Sequence, residues 1–229
     1  MDNRIINRMD QGKRMNVYFI SGLGADRRAF ERIKLPDNYT IHHLDWITPV
    51  IGESLNKYAK RLAAGIDTSQ PFSIVGLSMG GMIASAMTQF LQPHKTILIS
   101  SVGCNTEFPP LLRLARATRV YKLIPRFVFR RPYLRIAQWM FGTKTKNEKM
   151  LMRYFLSQLD PAFMKWAIGA ILNWGDCERP NGIFHIHGNT DRMLPVKYTR
   201  PDVVVEKGSH FMVWTKASEV SRILAQALT

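Results

Sequence analysis

A chain of 229 residues, 46% hydrophobic and 21% charged, holds one sizeable core with or without an inserted subdomain, and its composition excludes a disordered or low-complexity protein. The formal charge of +15, from 32 Lys and Arg against 17 Asp and Glu, permits attraction to phosphates, anionic lipid surfaces or acidic substrates without establishing any of them. No zinc-finger spacing, RNA-binding aromatic motif or heptad-linked basic helix occurs, so nucleic acid is not an expected partner.

Residues 1–14 are polar and charged and read as a loose basic arm, without the apolar core of a secretory signal. No later run is apolar for long enough to span a bilayer, and the expected compartment is the cytoplasm. Val17 to Ile20 is a continuous apolar run, which predicts a buried strand. Ser21-Gly22-Leu23-Gly24 then turns toward Asp26, an N-cap for a helix expected through Arg32. Thr40 to Leu44 reads as a second strand, and Asp45 to Pro49 as the loop after it. From Glu53 to Ile66 the apolar residues Leu55, Tyr58, Ala59, Leu62, Ala63 and Ile66 recur at helical spacing, which predicts an amphipathic helix. Phe72 to Val75 is a third strand, feeding Gly76-Leu77-Ser78-Met79-Gly80 and a helix expected over Met82 to Leu91. Thr96 to Ile99 is a fourth strand. Strands alternating with helices over short connections imply a parallel sheet covered on both faces.

From Asn105 to Pro180 the alternation stops. This third of the chain carries 14 Lys and Arg against five acidic residues, and it is rich in large apolar side chains, among them Phe127, Phe129, Trp139, Phe155 and Trp166. It reads as a helical cap, residues 105–180, broken at Pro125, Pro132 and Pro161. Its arginines, with Arg113, Arg116 and Arg119 on one side of a helix, read as a solvated basic face. Peripheral contact with an anionic membrane, or a grip on an acidic acyl group, is the sharper alternative. Its aromatics and methionines are expected to line a pocket above Ser78. Cys104 and Cys177 fit no metal spacing, read as reduced thiols and stand near the two hinges of the cap. The strand rhythm then resumes at Ile183 to His187 and Val203 to Val205, and Met212 to Leu228 supplies a closing helix.

Gly76 to Gly80 has the spacing G-x-S-x-G between a strand and a helix, a turn that pushes a serine hydroxyl clear of the backbone. Ser78, Asp191 and His210 each stand just past the carboxyl end of a predicted parallel strand, the edge at which open α/β sheets bind ligands. A serine hydroxyl needs an imidazole to take its proton, and the imidazole needs a carboxylate to fix its tautomer. Asp45 is a rival acid, expected on the far side of the serine strand from His210. His185 and His187 share a strand face but bring no fixed carboxylate, so no metal is expected. His42 and His43 read as structural.

These motifs, in this order, resemble the α/β-hydrolase family over most of residues 16–105 and 181–228. Gly76 to Gly80 is similar to its nucleophile elbow, and His187-Gly188-x-x-Asp191 with Pro195 to its acid loop. Gly208-Ser209-His210-Phe211 is similar to its histidine loop. Ser21-Gly22-Leu23-Gly24 resembles its oxyanion turn, with Ser21 where the family usually has His. The resemblance implies a minimal α/β-hydrolase fold with a core from residues 15–104 and 181–229. About six mainly parallel strands, without the family's first two, would carry helices on both faces and the inserted helical cap. Asp191 and His210 are only 19 residues apart, so the helix that normally joins their strands is expected to be a turn or missing. The resemblance further implies Ser78 as nucleophile, His210 as base and then acid, and Asp191 as the orienting carboxylate. The backbone N–H groups of Leu23 and Met79 would hold an oxyanion, no cofactor is called for, and a small or medium ester or thioester would be cleaved through an acyl-enzyme. The same three groups also suit acyl transfer, or proton abstraction and elimination on a carboxylated substrate. A non-catalytic ligand-binding or membrane-surface protein on this fold is the reading from another class.

Overall fold

The computed structural model describes residues 14–123, 134–175 and 177–229. Six strands lie in one sheet: β1 (Met15–Ile20), β2 (Tyr39–Leu44), β3 (Phe72–Leu77), β4 (Thr96–Ile99), β5 (Ile183–Gly188) and β6 (Val203–Val205). Their order is β2-β1-β3-β4-β5-β6, with every neighbouring pair parallel. All residues of β3 and β4 are buried, as central parallel strands covered on both faces must be. The described residues form eight α-helices: α1 (Leu55–Leu62), α2 (Met79–Met87), α3 (Pro110–Thr118), α4 (Leu134–Phe141), α5 (Lys146–Ser157), α6 (Pro161–Leu172), α7 (Met212–Thr215) and α8 (Ala217–Leu228).

The sheet separates two apolar layers. On one side Tyr58 and Leu62 of α1 pack with Ile83 and Met87 of α2 against Ile20, Ile74 and Leu98. On the other, Phe30, Val213, Val220 and Leu224 cover Phe19, Val75 and Ile97. The expected helices differ from the observed ones at their ends, and one is reduced to a 3-10 turn, for local reasons. Ser54 accepts from the Lys57 N–H and starts α1 there, which leaves Glu53 outside the helix to pair with Arg61 at 2.9 Å. Residues 63–65 tighten into a 3-10 turn. Asp26 does cap, accepting from the Arg28 N–H, but it starts only a 3-10 turn, Arg27–Phe30. The helix after the serine begins at Met79 rather than Met82, and the closing helix is interrupted at Lys216.

Among the described residues the β4–β5 segment contains no strand and carries α3 to α6. Pro161 sits at the start of α6, where its missing N–H is harmless, and Asp160 accepts from the Ala162 and Phe163 N–H groups. Pro125 and Pro132, like residues 1–13, lie outside the described residues. The two ends of the segment are tied together. Asn105 Nδ2 donates to the carbonyls of Trp174 and Gly175 at 3.0 and 2.8 Å, and Arg179 pairs with buried Glu107 at 2.8 Å. Cys104 and Cys177 meet at this junction as free thiols. The neighbouring Cys177 thiol holds the Cys104 thiol below its ordinary pKa. Between Asp191 and His210 there is only the 3-10 turn Val196–Tyr198 and β6, so no α-helix joins the last two strands. No described helix is long and apolar enough to cross a membrane.

Candidate active site

β3 delivers its chain into Ser78, whose φ of 52° and ψ of −119° put it in a region that a residue with a side chain rarely enters. Two glycines make the turn sterically feasible. A Cβ at Gly76 would strike the Gly80 carbonyl oxygen, and one at Gly80 would strike the carbonyl oxygens of Ile20 and Ser21. Strand, helix and the neighbouring β1 end therefore pass at backbone contact. The Ser78 N–H donates to Ile99 O at 3.0 Å, and its carbonyl accepts from Ser101 Oγ at 2.6 Å and from the Gly81 N–H at 2.9 Å. With its backbone fixed, the Ser78 side chain meets His210 Nε2, 3.0 Å from Oγ.

His210 is 2% exposed, and its other nitrogen, Nδ1, lies 2.7 Å from Asp191 Oδ2. Asp191 is buried at the end of β5, where Oδ1 accepts from the N–H groups of Met193 and Leu194 at 2.9 and 2.8 Å. An ionised carboxylate only accepts. The proton between Asp191 and His210 therefore belongs to Nδ1, and Nε2 presents its lone pair to the Ser78 hydroxyl. The arrangement can take a proton from Ser78 Oγ and stabilise the resulting imidazolium. The structure thus brings together Ser78, Asp191 and His210 from the ends of β3, β5 and β6.

The glycine turn after β1 lies against this group, since a Cβ at Gly22 would sit 3.4 Å from Ser78 Cβ. Leu23 and Met79 both border a cavity of about 500 Å³ onto which Ser78 and His210 open. Met79 opens α2, so its N–H belongs to the first helical turn, where donors lack intrahelical partners. Among the described residues the Leu23 N–H enters no turn, loop or cap bond. Leu112, Met140, Phe141, Met152, Phe155 and Met164 of the β4–β5 segment close much of the remaining wall. Among the described lining residues none is Lys, Arg, Asp or Glu.

The sequence matches the alpha/beta hydrolase family model across residues 17–223. The chain belongs to the alpha/beta hydrolase family. Among curated proteins no sequence matches it. Solved structures with the same fold include a thermophilic esterase from Thermogutta terrifontis, 17% identical, with a TM-score of 0.66, covering 95% of this chain and 92% of that one. A lipase-esterase related protein from Clostridium acetobutylicum is 15% identical, with a TM-score of 0.67 and coverages of 95% and 96%. MenH from S. aureus is 15% identical, with a TM-score of 0.69 and 94% coverage of both chains.

In this alpha/beta hydrolase the rival acid, Asp45, forms an exposed ion pair with Arg27 at 2.9 Å. His42 bonds Asn16 and stacks on Tyr18, and His43 stacks on Phe30. His185 and His187 are buried behind the acid loop. His187 Nε2 donates to Leu194 O at 2.7 Å and lies 3.4 Å from Asp191 Oδ2, so its Nδ1 is the acceptor for His185 Nε2 at 2.9 Å. Burial drives both imidazoles toward the neutral form, His185 to a pKa of about 2. Among the described residues no group of three or more His, Cys, Asp and Glu is placed to hold a metal ion. The available signal was that His187 precedes Asp191 by four residues at the same strand end. Of the other aromatics, Trp166 donates to Glu53 O and packs on Tyr58, and Trp174 is buried beside Phe108. Neither borders the cavity, and Phe127 and Phe129 lie outside the described residues.

Proposed function

We propose that this protein is a serine hydrolase that cleaves carboxylic esters or thioesters of apolar acyl groups. The observation that carries the reading is the placement of His210 between Ser78 Oγ at 3.0 Å and Asp191 Oδ2 at 2.7 Å. In this mechanism Ser78 Oγ attacks the carbonyl carbon while His210 Nε2 takes its proton. The oxyanion that forms accepts from the backbone N–H groups of Leu23 and Met79. Collapse expels the alcohol or thiol, which leaves with the proton returned by His210. Water, deprotonated by the same imidazole, then attacks the acyl-enzyme and releases the carboxylic acid.

The cavity supports the apolar acyl group. At about 500 Å³ it falls within the range of roughly 300–1,000 Å³ typical of small-molecule sites. Its described wall offers no cation for a carboxylated substrate, which weighs against elimination or acyl transfer on an acidic compound. Helices α3 to α6 act as the cap over Ser78.

Turnover of a p-nitrophenyl ester series from acetate to decanoate tests this reading. Each methylene buried in the cavity can contribute up to about 0.8 kcal/mol, so kcat/KM should climb from acetate into the medium chains. Ser78→Ala should abolish the activity at every length. Fastest turnover on acyl groups ending in a carboxylate would instead support the alternative chemistry.

A further inference from the structure

Between Glu107 and Glu148 the sequence holds ten Lys and Arg and no acidic residue. Two thirds of the formal charge of +15 thus comes from a stretch that starts beside the site. Its described part consists of α3, the 3-10 turn Val120–Leu123, α4 and the approach to α5. Neither α3 nor α4 contains a buried residue.

What these elements expose is apolar as well as cationic. Leu111 is 75% exposed, Leu114 60%, Leu123 80%, Ile136 60% and Trp139 58%. Exposed apolar residues scattered singly need no explanation, but a concentration on the elements around one cavity marks an interaction surface. Arg113, Arg119, Lys122 and Arg135 are interleaved with them, exposed and, among the described residues, without a carboxylate partner. Arg192 stacks its guanidinium 4.6 Å from the centre of the Trp139 ring and donates to the Trp139 carbonyl. Ile136 of α4 both lines the cavity and faces solvent, and on α3 exposed Leu111 adjoins Leu112 of the cavity wall, so both helices border the same mouth.

We propose that this strip docks on an anionic lipid surface. Leu111, Leu114, Leu123, Ile136 and Trp139 enter the boundary between headgroups and acyl chains, and Arg113, Arg119, Lys122 and Arg135 lie against lipid phosphates. Large aliphatic and Trp side chains interleaved with Lys and Arg, on helices without a fully buried residue, are what an interfacial segment requires. A nucleic acid would use the cations but would gain little from the exposed leucines. The solvated basic face expected from sequence leaves those leucines unexplained. Docking in this way would put the cavity mouth at the lipid surface. The inference does not depend on the chemistry of Ser78, because binding is read without turnover.

The test is co-sedimentation of the full chain with vesicles of phosphatidylcholine alone and of phosphatidylcholine mixed equally with phosphatidylglycerol, at about 0.05 M and about 0.5 M salt. Binding should be confined to the anionic vesicles and should weaken in high salt. Each cation at an anionic surface strengthens binding about five-fold, so Arg113→Gln/Arg119→Gln/Arg135→Gln should weaken it about 100-fold. Leu111→Ser/Leu114→Ser should weaken it while retaining the salt dependence. The Trp139 fluorescence should shift to the blue on anionic vesicles, and Trp139→Phe should remove that shift. This last variant keeps the test decisive if the multiple variants fold poorly, which circular dichroism would show. Equal binding to neutral vesicles, or no binding at low salt, overturns the proposal. So does tighter binding to duplex DNA that the leucine substitutions leave unchanged, which would assign the face to nucleic acid.

Discussion

Asp191 holds His210 through one oxygen only. Oδ2 lies 2.7 Å from His210 Nδ1, while Oδ1 is occupied by the Met193 and Leu194 N–H groups. In Asp191→Asn the amide oxygen would stay on those two donors, and the amide nitrogen would face His210. The imidazole would then have to accept at Nδ1 and carry its proton on Nε2, where it could no longer take one from Ser78. The fold should survive and kcat should fall by about 10⁴, measured on a p-nitrophenyl ester beside the thermal midpoint.

Acid should destabilise this protein early. His185 and His187 are held neutral by burial, His185 with a pKa of about 2, whereas an unfolded histidine titrates near about 6.5. Below that pH the unfolded state binds more protons than the folded one. Stability present above pH 6.5 is therefore lost as pH falls, by up to about 1.4 kcal/mol per pH unit for each such histidine. Urea midpoints at about pH 7.5 and about pH 5 should show the drop, and His185→Gln should flatten it.

Gly80 has no room for a methyl group, because the carbonyls of Ile20 and Ser21 occupy its Cβ position. Gly80→Ala must push α2 away from the end of β1, with overpacking that costs about 1–3 kcal/mol. Because that shift also moves Ser78, turnover of a p-nitrophenyl ester should fall further than the loss of folded protein accounts for.

The salt bridge that ties the ends of the β4–β5 segment is a stability element. Glu107 is almost fully buried, and it accepts from the Gly103 N–H as well as pairing with Arg179. Arg179→Ala leaves that carboxylate without its cation, for which the loss is about 3–5 kcal/mol. Denaturant unfolding should show it, and Glu107→Gln/Arg179→Met should recover part of it.

Sequence reading was strongest where one residue type answers one physical need. The apolar runs of β1, β3 and β4 admit no solvent face, and Gly76 and Gly80 flank a serine where only glycine permits the crossing. Asp191 and His210 were legible as the residues immediately past strand ends, and the structure brings both to Ser78. Helix ends were less legible, because Ser54 and Glu53 compete for the start of α1 and only the hydrogen bonds of the folded chain decide between them. Hidden most completely was the surroundings of the acid. That His187 reaches Asp191 depends on how the turn after β5 brings Leu194 back, which spacing alone does not report. The β4–β5 segment showed its charge in the sequence, but which of its apolar residues face the cavity and which face solvent is a property of tertiary packing.

The central claim is that Ser78 is a nucleophile activated by His210. Reaction of the folded protein with a fluorophosphonate probe, followed by mass spectrometry of the labelled peptide, tests it most directly. The account predicts stoichiometric label on Ser78, lost in Ser78→Ala and strongly slowed in His210→Ala. Folded wild-type protein that stays unlabelled, or a Ser78→Ala variant that labels as fast as the wild type, would contradict it.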